Sequence, residues 1–434
     1  MLKLSMFSSI RLTTAVVVFT ICLFLITSNV QSRETLEALR AGTSAIDITP
    51  GLPVQMGGYS SRTALSEGIR DRLIARVIAF ENSGKKLVLV SCDLWDFRGN
   101  EIFKYFQKPI LKEFNLKEDE LFLCATHSHA TPSLAVDKKT AHANNLKYTD
   151  RIKTKLIQVI REAFSEMVPV RFGAGIGYSP IGMNRREMKP DGNMKIGRNP
   201  YGITDKEVLV MKLTKPDGSN IAALINFPCH GTSLGGRNLK ISGDILGVAE
   251  KFVERIAGNG LIAPLFTGAS GEINPYFHGL REYNTDSGWV PETILLGKML
   301  GTEVMYIFRN IKALNSSGQI KTASKIIEVP GKIQGDPVYK DTRLTDTVNI
   351  IAARVGDVAF VGFNVEMLTE IGMAIKAASP YKHTFVITHC NGYNHYLPPE
   401  HLFKEGGYEI MRSSFAPQAA DIVVKETLRM LYGF

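Results

Sequence analysis

The residues of this chain best suited to chemistry are two histidines that close an apolar run, Leu121-Phe-Leu-Cys-Ala-Thr-His127-Ser-His129, just before Ala130-Thr131-Pro132. On an extended segment, side chains two apart point to the same side, so His127 and His129 are predicted to reach one ion or one substrate together. Histidine is the commonest metal ligand, and it titrates nearest neutral pH. An isolated His-x-His reads equally well as two polar residues at a strand end, because so short a pattern recurs by chance. Its partners decide.

Three further residues follow apolar, strand-like runs in the same way: His230 after 221–227, Glu366 after 358–363, and Tyr396 after 384–388. In layered α/β architectures, strand ends and the loops after them build the site. Two histidines and a carboxylate suit a catalytic zinc with one open position. Each residue also has a plainer reading. His230, behind Pro228, reads as a buried, hydrogen-bonded histidine; Glu366 as an acid at the start of a helix, favourable to its dipole; Tyr396 as core.

The elements that must position these residues alternate in type. Hairpins are predicted at 73–93 around Ser83-Gly84, at 207–227 around Pro216-Asp217-Gly218, and at 348–363 around Gly356-Asp357. Helical spacing marks 101–114, with Pro109 counting against one continuous helix, and also 150–167, 243–256, 292–311 and 417–431. A helix is expected to begin at Glu366. The stretch 177–203, rich in Gly, Pro, Asn, Arg and Met, reads as a long irregular loop of the kind that is usually functional. Gly57-Gly58-Tyr59 marks a turn where the backbone can approach something closely. The pattern is α/β: a mixed β-sheet core flanked by helices.

The 434 residues are 44% hydrophobic and 21% charged, enough for a large core. The net charge of +9 is scattered and mixed with acids, and no nucleic-acid motif is present. Lys3 and Arg11 precede the apolar run 13–27, and Val30-Gln-Ser32 offers a cleavage signature. Residues 1–32 are therefore expected to be a signal peptide, with a retained anchor as the alternative, and residues 33–434 a single extracytoplasmic (secreted or periplasmic) domain. Cys92, Cys124, Cys229 and Cys390 follow or end apolar runs and are expected to be buried free thiols; the compartment also permits a disulfide.

Five blocks, in order, resemble the N-terminal catalytic domain of the neutral (non-lysosomal) ceramidase family. They are Ala45-Ile-Asp-Ile-Thr-Pro50 with Gly57-Gly-Tyr59; Ala125-Thr-His127-Ser-His129; Phe227-Pro-Cys-His230-Gly-Thr-Ser233; Gly362-Phe-Asn-Val-Glu366; and Asn391-Gly-Tyr-Asn-His-Tyr396 with Tyr408. The resemblance implies a neutral-ceramidase N-terminal-domain-like fold. It also implies a Zn2+ site at His127, His230, Glu366 and Tyr396, with His129, Arg185 and Tyr408 as neighbouring polar groups. Two departures stand out. The family's serine in Gly-x-x-Ser-Pro-Asn is replaced by Asn274 in Gly271-Glu-Ile-Asn-Pro275, with Ser270 out of register, and the family's C-terminal immunoglobulin-like domain is expected to be missing.

The expected function is that of a secreted zinc-dependent hydrolase of the ceramidase type. It would cleave the amide bond of an N-acyl lipid or related N-acyl compound with zinc-activated water. His129 would relay protons, while Tyr408, Arg185 and Asn274 hold the developing oxyanion. The alternative is a non-catalytic extracytoplasmic binding protein that keeps the fold and metal site. A metallo-β-lactamase-type site is disfavoured, because Ala130-Thr131-Pro132 stands where Asp-His is needed. Expected partners are a small-molecule or lipid-like amide and no nucleic acid; peripheral membrane contact and oligomeric state stay open.

Overall fold

The computed structural model describes residues 38–278, 291–332 and 344–434, so the signal-peptide expectation at 1–32 lies outside the described residues. Three sheets carry the architecture. The first runs in the spatial order Leu121–Ala125, Lys85–Cys92, Ile74–Asn82, Arg40–Asp47, Val168–Pro169; the second Leu265–Thr267, Asn220–Phe227, Glu207–Thr214, Arg171–Tyr178; the third Ile320–Pro330, Thr345–Val355, Val358–Phe363, His383–Ile387. The architecture is α/β, as the sequence indicates.

One face of every sheet enters a shared apolar core, where Phe80, Leu89 and Phe122 of the first meet Leu224 and Phe266 of the second and Phe360 and Phe385 of the third. Each outer face is covered by a pair of helices. Asn100–Phe114 and Ala143–Ser165 cover the first sheet, Asp244–Ala257 and Pro291–Asn310 the second, and Thr369–Ala378 and Ala419–Tyr432 the third. Because both faces are buried, the central strands read as nearly continuous apolar runs.

Each sheet combines antiparallel hairpins with one parallel pair: Lys85–Cys92 with Leu121–Ala125, Asn220–Phe227 with Leu265–Thr267, and Val358–Phe363 with His383–Ile387. Parallel neighbours end on the same side, so each sheet delivers two carboxyl-terminal strand ends to one place. Backbone hydrogen bonds join the ends across sheets. Ala125 N donates to His389 O (3.2 Å), His129 N to Gly231 O (2.8 Å) and Thr388 N to Thr267 O (2.9 Å).

The three predicted hairpins are present, and Ser83 and Gly84 both take positive φ (49° and 75°) in the first turn, as a two-residue hairpin requires. Pro109 lies inside an unbroken helix, Asn100–Phe114. Burial of Phe103, Phe106 and Ile110 holds the segment helical despite the missing N–H.

Two expectations are corrected. The stretch 177–203 is not irregular: Gly182–Met188 and Met194–Asn199 pair as an antiparallel hairpin. Beside Met183, its buried positions are filled by Asn184, Arg185 and Arg186, whose partners are other polar groups, so apolar alternation is missing from a real strand. The second concerns Glu366, which does not open a helix. It lies in a two-residue strand, Glu366–Met367, and the helix begins at Thr369. The helix's first turn carries Glu370, and its first N–H, at Thr369, donates to Glu272 from another segment, 3.1 and 3.0 Å from the two carboxyl oxygens.

Candidate metal centre

His127 and His129 stand beyond the end of the strand Leu121–Ala125. His127 adopts φ 64°, a left-handed conformation that a residue with a side chain takes at a cost of about 1–3 kcal/mol. The two rings therefore do not converge through the pleat of an extended strand, as expected, but through a tight turn. They meet at 3.2 Å between Nε2 atoms. Gly58 makes room: at φ 95°, a Cβ there would lie 2.4 Å from the His129 ring. The turn Gly57-Gly58-Tyr59 thus closes over His129, the close approach its glycines suggest.

Each sheet contributes to the cluster. His127 and His129 come from the first, His230 from the second, and Glu366 from the third; His127, His230 and Glu366 are at most 2% exposed. His230 Nε2 lies 2.8 Å and His127 Nε2 3.6 Å from Glu366 Oε1. Tyr396 sits directly opposite Glu366 in a parallel two-strand ladder.

The other ring nitrogens fix the tautomers. His127 Nδ1 lies 2.9 Å from the Trp95 carbonyl, and His230 Nδ1 lies 2.7 Å from that of Ser270. A carbonyl only accepts, so both Nδ1 atoms carry the proton and both Nε2 atoms present a lone pair. Burial, then the nearby Arg185 charge, pushes the His230 pKa down to about 4, and its ring is neutral near pH 7. Burial favours protonation of Glu366, and positive charge held beside it favours the carboxylate. The His230 Nε2 lone pair therefore faces Glu366 Oε1 at 2.8 Å, a distance that either a proton or a cation must bridge. A cation resolves that contact, and oriented imidazoles backed by carbonyls are the arrangement metal sites use. The donor set fits a divalent metal.

Arg185, from the hairpin mistaken for a loop, links the neighbouring groups. Its guanidinium donates to Tyr396 Oη (3.1 Å) and Asn274 Oδ1 (3.3 Å), and lies 3.4 Å from His230 Nε2. Glu409 anchors it at 2.8 Å and receives Arg186 at 3.0 Å on its other oxygen. The amide oxygen of Asn274 is the engaged end, since Thr232 Oγ1 also donates to it. Tyr408 packs edge-on against Tyr396, with ring centroids 5.8 Å apart. Ser270 holds His230 through its carbonyl, while its buried hydroxyl meets no partner.

One residue escaped the sequence reading. His389, fully buried, lies flat on His127 at 3.6 Å between centroids and 10° between planes, and neither of its ring nitrogens has a partner. Its nitrogen, one from His127 and a Glu366 oxygen lie within 4.8 Å of one another, as do nitrogens of His127, His129 and His230. The signal was available, because His389 closes the apolar run 384–388 just as His230 closes its own.

A cavity of about 460 Å³ opens onto His127, His129 and Glu366 and is lined further by Tyr59, Trp95, Arg98 and Tyr393. The four described cysteines are all buried and free, as expected.

The family profile described as neutral/alkaline non-lysosomal ceramidase, N-terminal, matches residues 39–280, which takes in His127 and His230 but not Glu366 or Tyr396. Neutral ceramidase A of Dictyostelium discoideum is 28% identical over 261 residues, covering 55% of this chain and 36% of that protein. Neutral ceramidase of Pseudomonas aeruginosa is 28% identical over 252 residues, covering 54% and 37%. The chain thus spans well under half the length of these relatives. The crystal structure of neutral ceramidase from Pseudomonas aeruginosa superposes with a TM-score of 0.77 at 19% identity, over 92% of this chain and 74% of that one. The profile match covers more than half of the sequence, and the chain belongs to the neutral/alkaline non-lysosomal ceramidase family.

Proposed function

We propose that this chain is an extracytoplasmic, zinc-dependent hydrolase that cleaves the amide bond of an N-acyl compound. The observation that carries the reading is the 2.8 Å contact between the His230 Nε2 lone pair and Glu366 Oε1. His127, His230, Glu366 and Tyr396 would hold the ion, which, when bound, polarises a carbonyl and makes water acidic enough to attack at neutral pH. Two imidazoles and a carboxylate suit zinc. The relatives named neutral ceramidase support amide hydrolysis as the reaction class, and the apolar run 13–27 supports export.

The chain's own groups then have distinct tasks. Desolvation by burial holds the His129 pKa well below the usual imidazole value, so its ring is neutral. Its Nδ1 has no partner and is free to pass a proton on. Arg185 orients the Tyr396 phenol oxygen, and Tyr408 shields that edge from water. Asn274 offers no hydroxyl for covalent catalysis, which leaves water as the nucleophile.

The absent hydroxyl also favours a second reading, a binding protein that retains the fold. A screen of N-acyl amino acids, N-acyl lipids and simple esters, run alongside elemental analysis, separates the two. Hydrolysis of at least one amide is expected, lost with chelator and restored by zinc. Full activity in metal-free protein would sink the zinc reading, and binding without turnover would leave the second.

A further inference from the structure

Given hydrolysis at this site, the surrounding cavity narrows the substrate class. Three arginines, Arg62, Arg98 and Arg412, line it, against one carboxylate among the described residues, Glu366. That carboxylate is already engaged by His230 and Tyr393. Arg98 is held between the Trp95 and Tyr393 rings, at 4.0 and 4.1 Å, and pairs with Asp96 at 3.0 Å. The other two have no acidic partner among the described residues. Arg62 donates to the backbone carbonyls of His129 (2.6 Å), Asn238 (3.0 Å) and Gly57, and its Nε is buried without a partner. Arg412 is exposed and lies over the Tyr408 ring face, at 5.7 Å.

Besides His129 Nδ1, two further lining groups hold unpaired polar atoms that can donate. Tyr59 Oη and Trp95 Nε1 are buried without partners. An indole N–H and a guanidinium Nε–H only donate, and a phenol in this setting keeps its proton because burial raises its pKa. A cavity with surplus donors and surplus positive charge suits a ligand rich in acceptors and negative charge. A neutral long-chain amide would leave the charges of Arg62 and Arg412 uncompensated in the filled cavity.

We propose that the substrate is an N-acyl compound bearing an anionic group, a carboxylate, phosphonate or phosphate, within a few bonds of the scissile amide. Arg62 and Arg412 recognise that group. Arg62 is bonded to the His129 carbonyl, so the anion lies beside the hydrolytic groups and not at a remote subsite. The reaction consumes one water: the acyl C–N bond breaks, the acyl carbon gains the hydroxyl, and the nitrogen gains the proton. The products are a carboxylic acid and an amine that keeps the anion.

The test compares N-lauroylglycine with its uncharged isostere N-lauroylglycinamide, adding N-lauroyl aminomethylphosphonate to separate carboxylate from phosphonate preference. Wild type is expected to favour an anionic member in kcat/KM by about tenfold or more, the scale of one charge-assisted hydrogen bond. Arg412→Glu, whose fold is checked by circular dichroism, is expected to cut that preference ratio by about tenfold, mainly through KM. Calorimetric titration of the same ligands into metal-free protein reads recognition without turnover. Hydrolysis of the glycinamide at least as fast as the anions overturns this inference and leaves the hydrolase reading standing. Anion-selective binding sensitive to Arg412→Glu, without hydrolysis of any compound, supports the inference while the hydrolase reading falls. Absence of both binding and turnover of the anions overturns it.

Discussion

The His389 ring lies parallel to that of His127 at 3.6 Å, inside the core and without a hydrogen bond at either nitrogen. A buried imidazole with no partner is costly unless something outside the protein chain takes its lone pair. We expect His389→Ala to weaken zinc retention by about 10–100-fold, the usual effect of losing a group that supports a metal site. His389→Phe keeps the stacking surface but removes the nitrogens. Zinc retention in chelator competition should fall as far in the Phe variant as in the Ala variant. Near-wild-type retention in the Phe variant would instead make His389 a stacking residue.

His230 reaches Glu366 directly and is oriented by two carbonyls, Ser270 O at 2.7 Å and Ile273 O at 3.2 Å. His230→Ala should abolish both metal content and hydrolysis while the far-ultraviolet spectrum stays unchanged. Elemental analysis beside the activity screen checks this, and stoichiometric zinc in the variant would remove His230 from the site.

Gly58 cannot take a side chain without displacing His129. Gly58→Ala places a methyl 2.4 Å from that ring at a φ of 95°, so we expect a loss of about 1–3 kcal/mol and near-complete loss of activity. Urea denaturation and turnover test the two effects separately. An active, fully stable variant would show that the Gly57–Tyr59 turn moves freely.

Glu409 is 1% exposed and neutralises two buried guanidiniums at once. Removing it takes the carboxylate from Arg185, while Arg186 keeps Glu405 at 3.1 Å, and breaking a buried pair costs about 3–5 kcal/mol. Glu409→Ala should therefore lower the denaturation midpoint sharply. A shift within experimental error would mean that the two arginines find other acceptors.

Glu272 gives a pH dependence whose sign can be worked out. Burial raises its pKa to about 8 in the folded chain, against 4.5 for the free side chain. The folded state therefore holds a proton that the unfolded state has released. The contribution is fully present below pH 4.5 and is lost as pH rises through 8, at about 1.4 kcal/mol per unit while only the unfolded state is ionised. Thermal unfolding between pH 5 and 8 should show a falling midpoint in wild type and a flatter one in Glu272→Gln, to the extent that this group dominates. Identical slopes would remove Glu272 as the cause.

The strand ends were legible because the central strands are buried on both faces, so His127 and His230 each appear where an apolar run stops. Their convergence was read from the wrong cause. Pleat geometry suggested it, whereas a left-handed residue at His127 achieves it, and no sequence pattern marks such a conformation in a histidine. The hairpin carrying Arg185 was hidden because its inward positions are mostly polar, satisfied by Glu409, Tyr396 and Asn274 from distant segments. Glu366 was recognised as a site residue but placed on the wrong element, because the acid that accepts the first N–H of the helix, Glu272, comes from a different part of the chain. His389 obeyed the same strand-end rule as His230 and was passed over in favour of Tyr396 nearby.

The joining of strand ends from all three sheets has a kinetic consequence. The Asn391 side chain accepts from Leu123 N across 268 residues of sequence, and Ala125 N bonds His389 O beside it. Contacts of such separation form late, since loop closure must precede them. The proposed metal ligands are therefore assembled only after the strand ending at Ile387 has docked, and a ribosome-bound chain lacking it carries His127 and His230 without Glu366 in place. Metal capture should accompany the last folding step, as a rate and not only as an affinity.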